Sequence, residues 1–326
     1  MPKLNIVQSV NLALRQEMER NPDVLILGED VGRNGGVFRA TEGLQEKFGA
    51  ERVVDTPLSE SGIVGVGIGL AVYGMVPVVE IQFLGFIYAA MEQLISHAAR
   101  IRTRSRGRFS CPLTVRAPYG GGIHAPEHHS ESTEALFVHT PGLKVVVPST
   151  PAETKGLLTA AIRDPDPVIF LEPARIYRAI KEEVPEGDYV IPLGKARVVQ
   201  EGAHITLISW GAMLRPTLQA AEMVREEGIE AEVIDMRTLY PLDTDTIIES
   251  VKKTSRAIVI DEGSFRYGVT GEIASVIAEG AFYDLDGPVR RLGARHVPIP
   301  FSPALEDVTV PTEQDVVALA RQMCNR

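Results

Sequence analysis

The chain has 326 residues, 44% of them hydrophobic and 23% charged, with a formal net charge of −10. That length suits two domains of roughly 150 residues better than one core, and the composition excludes a disordered or fibrous chain, while the negative charge argues against a phosphate-backbone binder, so no nucleic acid partner is expected. No apolar run approaches the ~20 residues that cross a bilayer, Met1 to Val10 lacks the pattern of a secretion signal, and Cys111 and Cys324 form no CxxC pair, so a cytoplasmic protein with free thiols and no membrane partner is expected.

Asn5 followed by Gln8 reads as a capping box, and Val7, Val10, Leu14 and Met18 continue at helical spacing until Asn21-Pro22. Val24 to Leu27 is a short apolar run of the kind found in strands covered on both faces, ending in Gly28-Glu29-Asp30. Further strands are expected at Val76 to Phe83, Leu113 to Ala117, Lys144 to Val147 and Val168 to Leu171, with helices between them. Thr150-Pro151-Ala152-Glu153 combines a capping Thr, Pro at the first helical position and Glu at the third. The alternating arginines Arg100 to Arg108 read either as a contact for an acidic surface or as a solvated helix end, the simpler reading.

From Pro173 to about Lys195 the periodicity fades into Lys181-Glu182-Glu183, Pro185, Gly187 and Pro192, a linker with one short extended piece. A second alternating series follows: strands at Ile205 to Ser209, Ala231 to Ile234 and Ala257 to Ile260, helices at Met213 to Glu227 and Asp243 to Lys253. The expectation is an α/β protein of two tandem three-layer domains, residues 1–180 and 197–326, joined by 181–196.

Gly62, Gly65, Gly67, Gly69 and Gly74 do not form a dinucleotide fingerprint, because Gly67-Ile68-Gly69 leads to Val72. They read instead as a close-packed buried helix near a neighbour or ligand. No phosphate loop, nucleophile elbow or HExxH zinc motif is present. His124, His128, His129 and His139 cluster beside Gly120-Gly121-Gly122 after a predicted strand. That segment is a candidate site, an inert surface loop, or a zinc site of His128, His129 and Glu127. Glu60 opens the glycine-rich helix, as a catalytic carboxylate or as ordinary helix N-terminal charge.

The stretches LGEDVGRNGGVFRATEGL, DTPLSESGIVGVGIGLA, EIQFLGFIYAAMEQL, HHSESTEALFVHTPGLKVVVPSTPAETKGLL, AIRDPDPVIFLEP and EVIDMRTLYPLD resemble the β subunits of pyruvate and branched-chain 2-oxo acid dehydrogenases nearly end to end. The resemblance implies a transketolase-like pyrimidine-binding domain followed by a transketolase C-terminal-like domain that serves assembly and docking. It implies thiamine diphosphate as cofactor, with the carboxyl group matching Glu60 on the aminopyrimidine, where sharing a proton favours the imino tautomer that deprotonates the thiazolium carbon. By the same resemblance Phe86 packs on the pyrimidine, Gln82 and Leu58 line its pocket, Glu29 lies nearby, and His129 assists substrate or lipoyl handling. His128 falls at a variable position and inherits no role.

Ala161, Ile162, Asp164 and Asp166, with Leu113, resemble a loop that holds a structural potassium ion, although Pro165 departs from the usual residue there. The G-D-G segment that binds magnesium and the diphosphate is missing, since Gly187-Asp188 continues into Tyr189. The resemblance therefore implies half an active site, completed with its magnesium by an α subunit in an α2β2 heterotetramer, which reductively acylates lipoyl groups on an acyltransferase core. Two other readings stay open: the β subunit of an acetoin dehydrogenase, suited by PIPFSPALEDVTVPT, and a noncatalytic binding protein of the same fold.

Overall fold

Apolar runs bounded by turn residues become strands, and the amphipathic stretches between them become helices. The structure is a computed structural model that describes residues 1–324. Its first half contains β1 (Lys3–Leu4), α1 (Ile6–Arg20), β2 (Val24–Gly28), α2 (Leu44–Phe48), β3 (Val53–Asp55), α3 (Glu60–Tyr73) and β4 (Val76–Glu80). It continues through α4 (Ile101–Arg104), β5 (Thr114–Tyr119), α5 (Glu134–Val138), β6 (Lys144–Val146), α6 (Pro151–Ile162), β7 (Val168–Pro173) and β8 (Glu182–Glu183). The second half runs β9 (Arg197–Gln200), β10 (Ile205–Ser209), α7 (Leu214–Arg225), β11 (Ala231–Asp235), β12 (Thr238–Tyr240) and α8 (Thr244–Thr254). It ends with β13 (Ala257–Ser264), α9 (Val269–Gly280), β14 (Arg290–Ala294), α10 (Pro303–Glu306) and α11 (Glu313–Cys324).

Local chemistry starts these helices where the sequence places them. At α1 the Asn5 side chain accepts from the Gln8 amide and the Gln8 side chain accepts from the Asn5 amide, a complete capping box. At α6 the Thr150 hydroxyl accepts from the Glu153 amide and Pro151 occupies the first turn. Asp243 caps α8 in the same way through Thr246.

The first sheet has the order β12-β6-β7-β5-β4-β2-β3, with every pair parallel except β12 against β6. In β2 the alternate residues Val24 and Ile26 pack towards α1 and α6, while Leu25 and Leu27 pack towards α3. Cover on both faces is why the strand is apolar throughout. The second sheet has the order β14-β13-β10-β11-β9, with α7 and α11 over one face and α8 and α9 over the other.

Four features differ from the expectations. The strand expected to reach Phe83 ends at Glu80, and residues 84–90 wind into a 3-10 helix that buries Leu84, Ile87 and Ala90 at its threefold spacing. The glycine-rich α3 is buried on one face only: Gly67 lies so close to Val79 that an added Cβ would come within 2.9 Å, whereas Gly62, Val66, Gly69 and Tyr73 face outward. The segment between the halves has its one short extended piece, β8, but is packed more closely than a linker requires, with β8 paired to β1, Val184 fully buried, and the Lys155 ammonium donating to the carbonyls of Pro185 and Gly187. Finally, β12 crosses from the second half to the edge of the first sheet, and one apolar cluster runs from Leu27 and Val115 to Ile234 and Ile273. The two halves share a core.

Candidate active-site crevice

In the first sheet the chain goes from β2 to β3 on one side and returns through β4 on the other. Such a switch point opens a crevice outside the carboxyl ends of the strands, where ligands of open α/β sheets bind. Four of these strand ends deliver the expected site residues: Glu29 follows β2, Leu58 and Glu60 follow β3, Gln82 and Phe86 follow β4, and His129 lies in the loop after β5.

Backbone ties fix this edge. The Thr56 amide donates to the Gly28 carbonyl at 3.0 Å, joining the exits of β2 and β3. The Asp55 carboxylate accepts from the amides of Gly32 and Arg33 at 2.6 and 3.1 Å, drawing the loop after Glu29 against β3. Glu60 therefore enters the first turn of α3 close enough to Glu29 to act on it. Burial first, then the charges of Glu60 and Asp30, push the Glu29 carboxyl above the usual carboxylate range. Leu58 is 80% exposed, Gln82, Phe86 and Glu60 are half-buried, and the Thr56 hydroxyl is buried with no partner among the described residues.

His129 is held by its neighbours. Its Nδ1 lies 3.0 Å from the carbonyls of both Pro126 and Glu127. Both partners are acceptors, so Nδ1 carries a proton and Nε2 is the ring nitrogen left to meet a ligand. The imidazole meets Phe83 and Phe86 edge-on at 4.4 and 5.2 Å between centroids. Gly85 admits this arrangement, because a side chain there would collide with the His128 carbonyl and with Cγ of Glu131. His128 turns outward towards Tyr88, and among the described residues no group of three His, Cys, Asp or Glu side chains forms a metal site, so the zinc alternative has no geometry behind it. His139 lies at the end of α5, away from this loop.

Beneath the crevice sits a network the sequence reading missed. Arg116 on β5 is 1% exposed and binds Glu172 at 2.6 and 2.9 Å and Glu80 at 2.8 Å, while the Tyr177 hydroxyl donates to Glu172 at 2.6 Å. Burial opposes the guanidinium charge, but Glu172 and Glu80 outweigh it and hold the Arg116 pKa above its ordinary value. Glu80 has the single contact, and burial raises its pKa despite Arg116. A charge interrupting an apolar strand, as in VPVVE and LTVRAP, was the available signal. Phe83 was also missed, because residues 76 to 83 read as one strand.

The expected potassium residues lie at the opposite, amino-terminal edge of the sheet. There the Asp164 carboxylate receives both contacts of the Lys144 ammonium at 2.6 and 2.7 Å, and Asp166 accepts from Arg102 at 2.6 Å. The Leu113 carbonyl accepts from Val168 and the Ala161 carbonyl from Asp164. The carboxylates are thus neutralised within the chain, leaving carbonyl lone pairs as the free donors. The arginines from Arg100 to Arg108 are exposed. Among the described residues no helix is long and apolar enough to cross a membrane.

Residues 2–179 match the family described as transketolase, pyrimidine binding domain, and residues 194–316 match transketolase, C-terminal domain. The chain is 50% identical to the 2-oxoisovalerate dehydrogenase subunit beta of Bacillus subtilis (strain 168) over 99% of both chains. It is equally 50% identical to the pyruvate dehydrogenase E1 component subunit beta of the same organism, again over 99% of both. A pyruvate dehydrogenase E1 component subunit beta from Staphylococcus epidermidis is 49% identical over 98% of both. Among solved structures, a split gene transketolase described as an inactive beta4 tetramer superposes with a TM-score of 0.79 at 24% identity over 99% of both chains, a likeness of fold. These relatives favour the 2-oxo acid branch over the acetoin branch, and the chain belongs to the transketolase-like family of 2-oxo acid dehydrogenase β subunits.

Proposed function

We propose that this chain supplies the aminopyrimidine half of a thiamine-diphosphate site and works with an α subunit in the oxidative decarboxylation of pyruvate or branched-chain 2-oxo acids. The observation that carries the reading is the state of the crevice: two interacting carboxylates, Glu29 and Glu60, stand beside an uncovered Leu58 and the outward face of α3. The donor set fits one end of the cofactor. Glu60 and Glu29 suit a ring nitrogen, Phe86 a ring face, and Gln82 and the unpartnered Thr56 hydroxyl suit exocyclic groups. None of these is a lysine or arginine, so the set does not suit the diphosphate, which with its magnesium is assigned to the α subunit.

When bound, the cofactor supplies a carbon nucleophile and an electron sink for decarboxylation. Glu60 holds a proton against the pyrimidine nitrogen and so selects the ring tautomer; Glu29, with its raised pKa, sits beside it. His129 presents Nε2 to accept or return a proton on the substrate side. Phe83 and Phe86 keep water from that face of the ring. The second domain is assigned to subunit assembly and to docking on a lipoyl acyltransferase core, as in an α2β2 enzyme. Buried Cys111 and the lone Cys324, both free thiols, fit a cytoplasmic setting.

The loop at Ala161, Ile162, Asp164 and Asp166, with Leu113, is assigned a potassium ion held by carbonyls, since its carboxylates are already paired. Added potassium should raise the melting temperature of metal-stripped protein; no rise removes the assignment. For the function, the chain is coexpressed with a cognate α-type chain and assayed for thiamine-diphosphate-dependent reduction of an artificial electron acceptor. Pyruvate, branched-chain 2-oxo acids and acetoin are compared. Turnover is expected from the complex with a 2-oxo acid, and an inert complex would leave the noncatalytic binding protein as the better reading.

A further inference from the structure

Two buried carboxylates of the second domain reach across to the loop that carries His129, and nothing in the proposed chemistry uses them. Glu306 on α10 is 1% exposed. Its Oε1 accepts from the Gly122 amide at 2.6 Å and from Arg175 at 2.8 Å, and its Oε2 lies 3.0 Å from Nδ1 of His124. Glu262 on β13, 2% exposed, accepts through Oε2 from the Gly121 amide at 3.2 Å, while its Oε1 has no partner among the described residues.

Between them these groups explain the three consecutive glycines. Gly120 and Gly122 have φ of +82° and +95°. A Cβ at Gly120 or Gly121 would run into the carboxylates of Glu262 and Glu306 respectively, and one at Gly122 would come within 2.8 Å of the Arg175 side chain. Beyond this hinge the loop is closed by the Gly120 amide donating to the Glu131 carbonyl at 2.9 Å, and Tyr88 donates to the Glu131 carboxylate at 3.2 Å. His129 lies inside that closed loop. Burying carboxylates is costly unless they are paired and hydrogen-bonded, and here Arg175 supplies the charge while the backbone amides of the hinge supply further hydrogen bonds.

We propose that Glu306 is a positioning residue for His129: it pins the Gly120–Gly122 hinge to the second domain, with Glu262 as the second point of attachment, and so fixes the imidazole against Phe83 and Phe86. The proposal rests on the reading of His129 as an active-site group. It makes the second domain part of the active-site scaffold as well as of the assembly.

The test is a double-mutant cycle in the complex assembled with the α-type chain, using Glu306→Ala, His129→Ala and the double variant, with pyruvate and branched-chain 2-oxo acids. Misplacing a catalytic group by about 1 Å can cost up to roughly a hundredfold, so Glu306→Ala should lower kcat about tenfold or more with KM little changed. In the His129→Ala background the same change should cost less than about twofold, because the residue it acts through is gone. Glu306→Gln, which keeps an oxygen for the Gly122 amide, should restore part of kcat at an unchanged melting temperature. Equal losses in both backgrounds would overturn the proposal.

Hydrogen exchange on the full chain alone separates this idea from the assigned function. Glu306→Ala should speed exchange across residues 120–131, and Glu306→Gln to a smaller extent, while β10 and β13 stay protected. A complex without turnover but with that local loosening would defeat the enzyme reading and keep the anchor. Unchanged exchange across 120–131 would defeat the anchor whatever the activity.

Discussion

The crevice and the seam between the two halves carry the same functional groups in opposite states. At the seam, Glu134, Asp261, Glu262 and Glu306 are each no more than 2% exposed and lie against one another or the hinge after β5. Burial, then the charge of Glu134, drives Asp261 well above the usual carboxylate range. At the crevice, Glu60 is half-exposed with no ion-pair partner among the described residues, and Leu58 beside it is 80% exposed. The contrast teaches that the seam carboxylates are enclosed by this chain, whereas those of the crevice are left open to its outside.

The largest expected effect separates the two regions by function. Glu60→Ala should lower turnover of the assembled complex by about 10²–10⁴-fold, the range of a lost acid-base group, with the melting temperature unchanged. A variant that melts much earlier would mean that Glu60 is structural and that the contrast is false.

Arg116→Ala probes the buried network under the crevice and should behave in the opposite way. Removing one partner of a buried ion cluster costs about 3–5 kcal/mol, here by stranding Glu80 and Glu172. Denaturant unfolding should show the loss in the chain alone; a change below about 1 kcal/mol would show that the carboxylates simply take up protons and the network adds little.

Glu262 gives the seam a pH signature. Burial, only partly offset by Arg175, pushes its carboxyl from 4.5 up to about 7. The folded state therefore binds the proton more tightly than the unfolded chain. The associated stability is complete below pH 4.5 and is lost as pH rises through about 7. A shift of that size corresponds to roughly 3 kcal/mol. Glu262→Gln should flatten the fall in stability across that window relative to the parent protein, measured by denaturant titration at several pH values. Parallel curves would place the proton elsewhere, on Asp261 or Glu134.

The smallest effect sharpens the crevice. Glu60→Gln removes one of the charges that raise Glu29, so the Glu29 pKa should fall while staying above its ordinary value, because burial is the larger cause. NMR titration of the Glu29 carboxyl carbon would follow it; no change would mean that the two carboxylates do not interact.

Much of this was legible from local rules. The capping box at Asn5 and the Thr150-Pro151 start lie where the sequence places them, since each is set by residues within one turn. The apolar run of β2 reveals its two-sided cover for the same reason. What stayed hidden depends on contacts between distant segments. The crossing of β12 to β6 joins residues about ninety positions apart, and no periodicity announces it. The grip of Glu306 on Gly122 spans 184 positions, and the three glycines were read only as part of a candidate site loop. The strand expected to continue through Phe83 ran too far because Ile81 and Phe83 prolong the apolar alternation of β4, although the chain leaves the sheet after Glu80 and winds up at Leu84. At the site, spacing alone left Glu60 and the histidine loop open between roles; the family resemblance singled out Glu60 and His129, which follow the carboxyl ends of β3 and β5 in the first sheet.

The most direct measurement of the central claim is thiamine diphosphate binding by calorimetry, with magnesium present, to the chain alone and to the complex with its α-type partner. The account predicts no saturable binding by the chain alone and one cofactor per αβ unit in the complex. Stoichiometric binding by the isolated chain would contradict it, because the crevice would then be a whole site and not half of one.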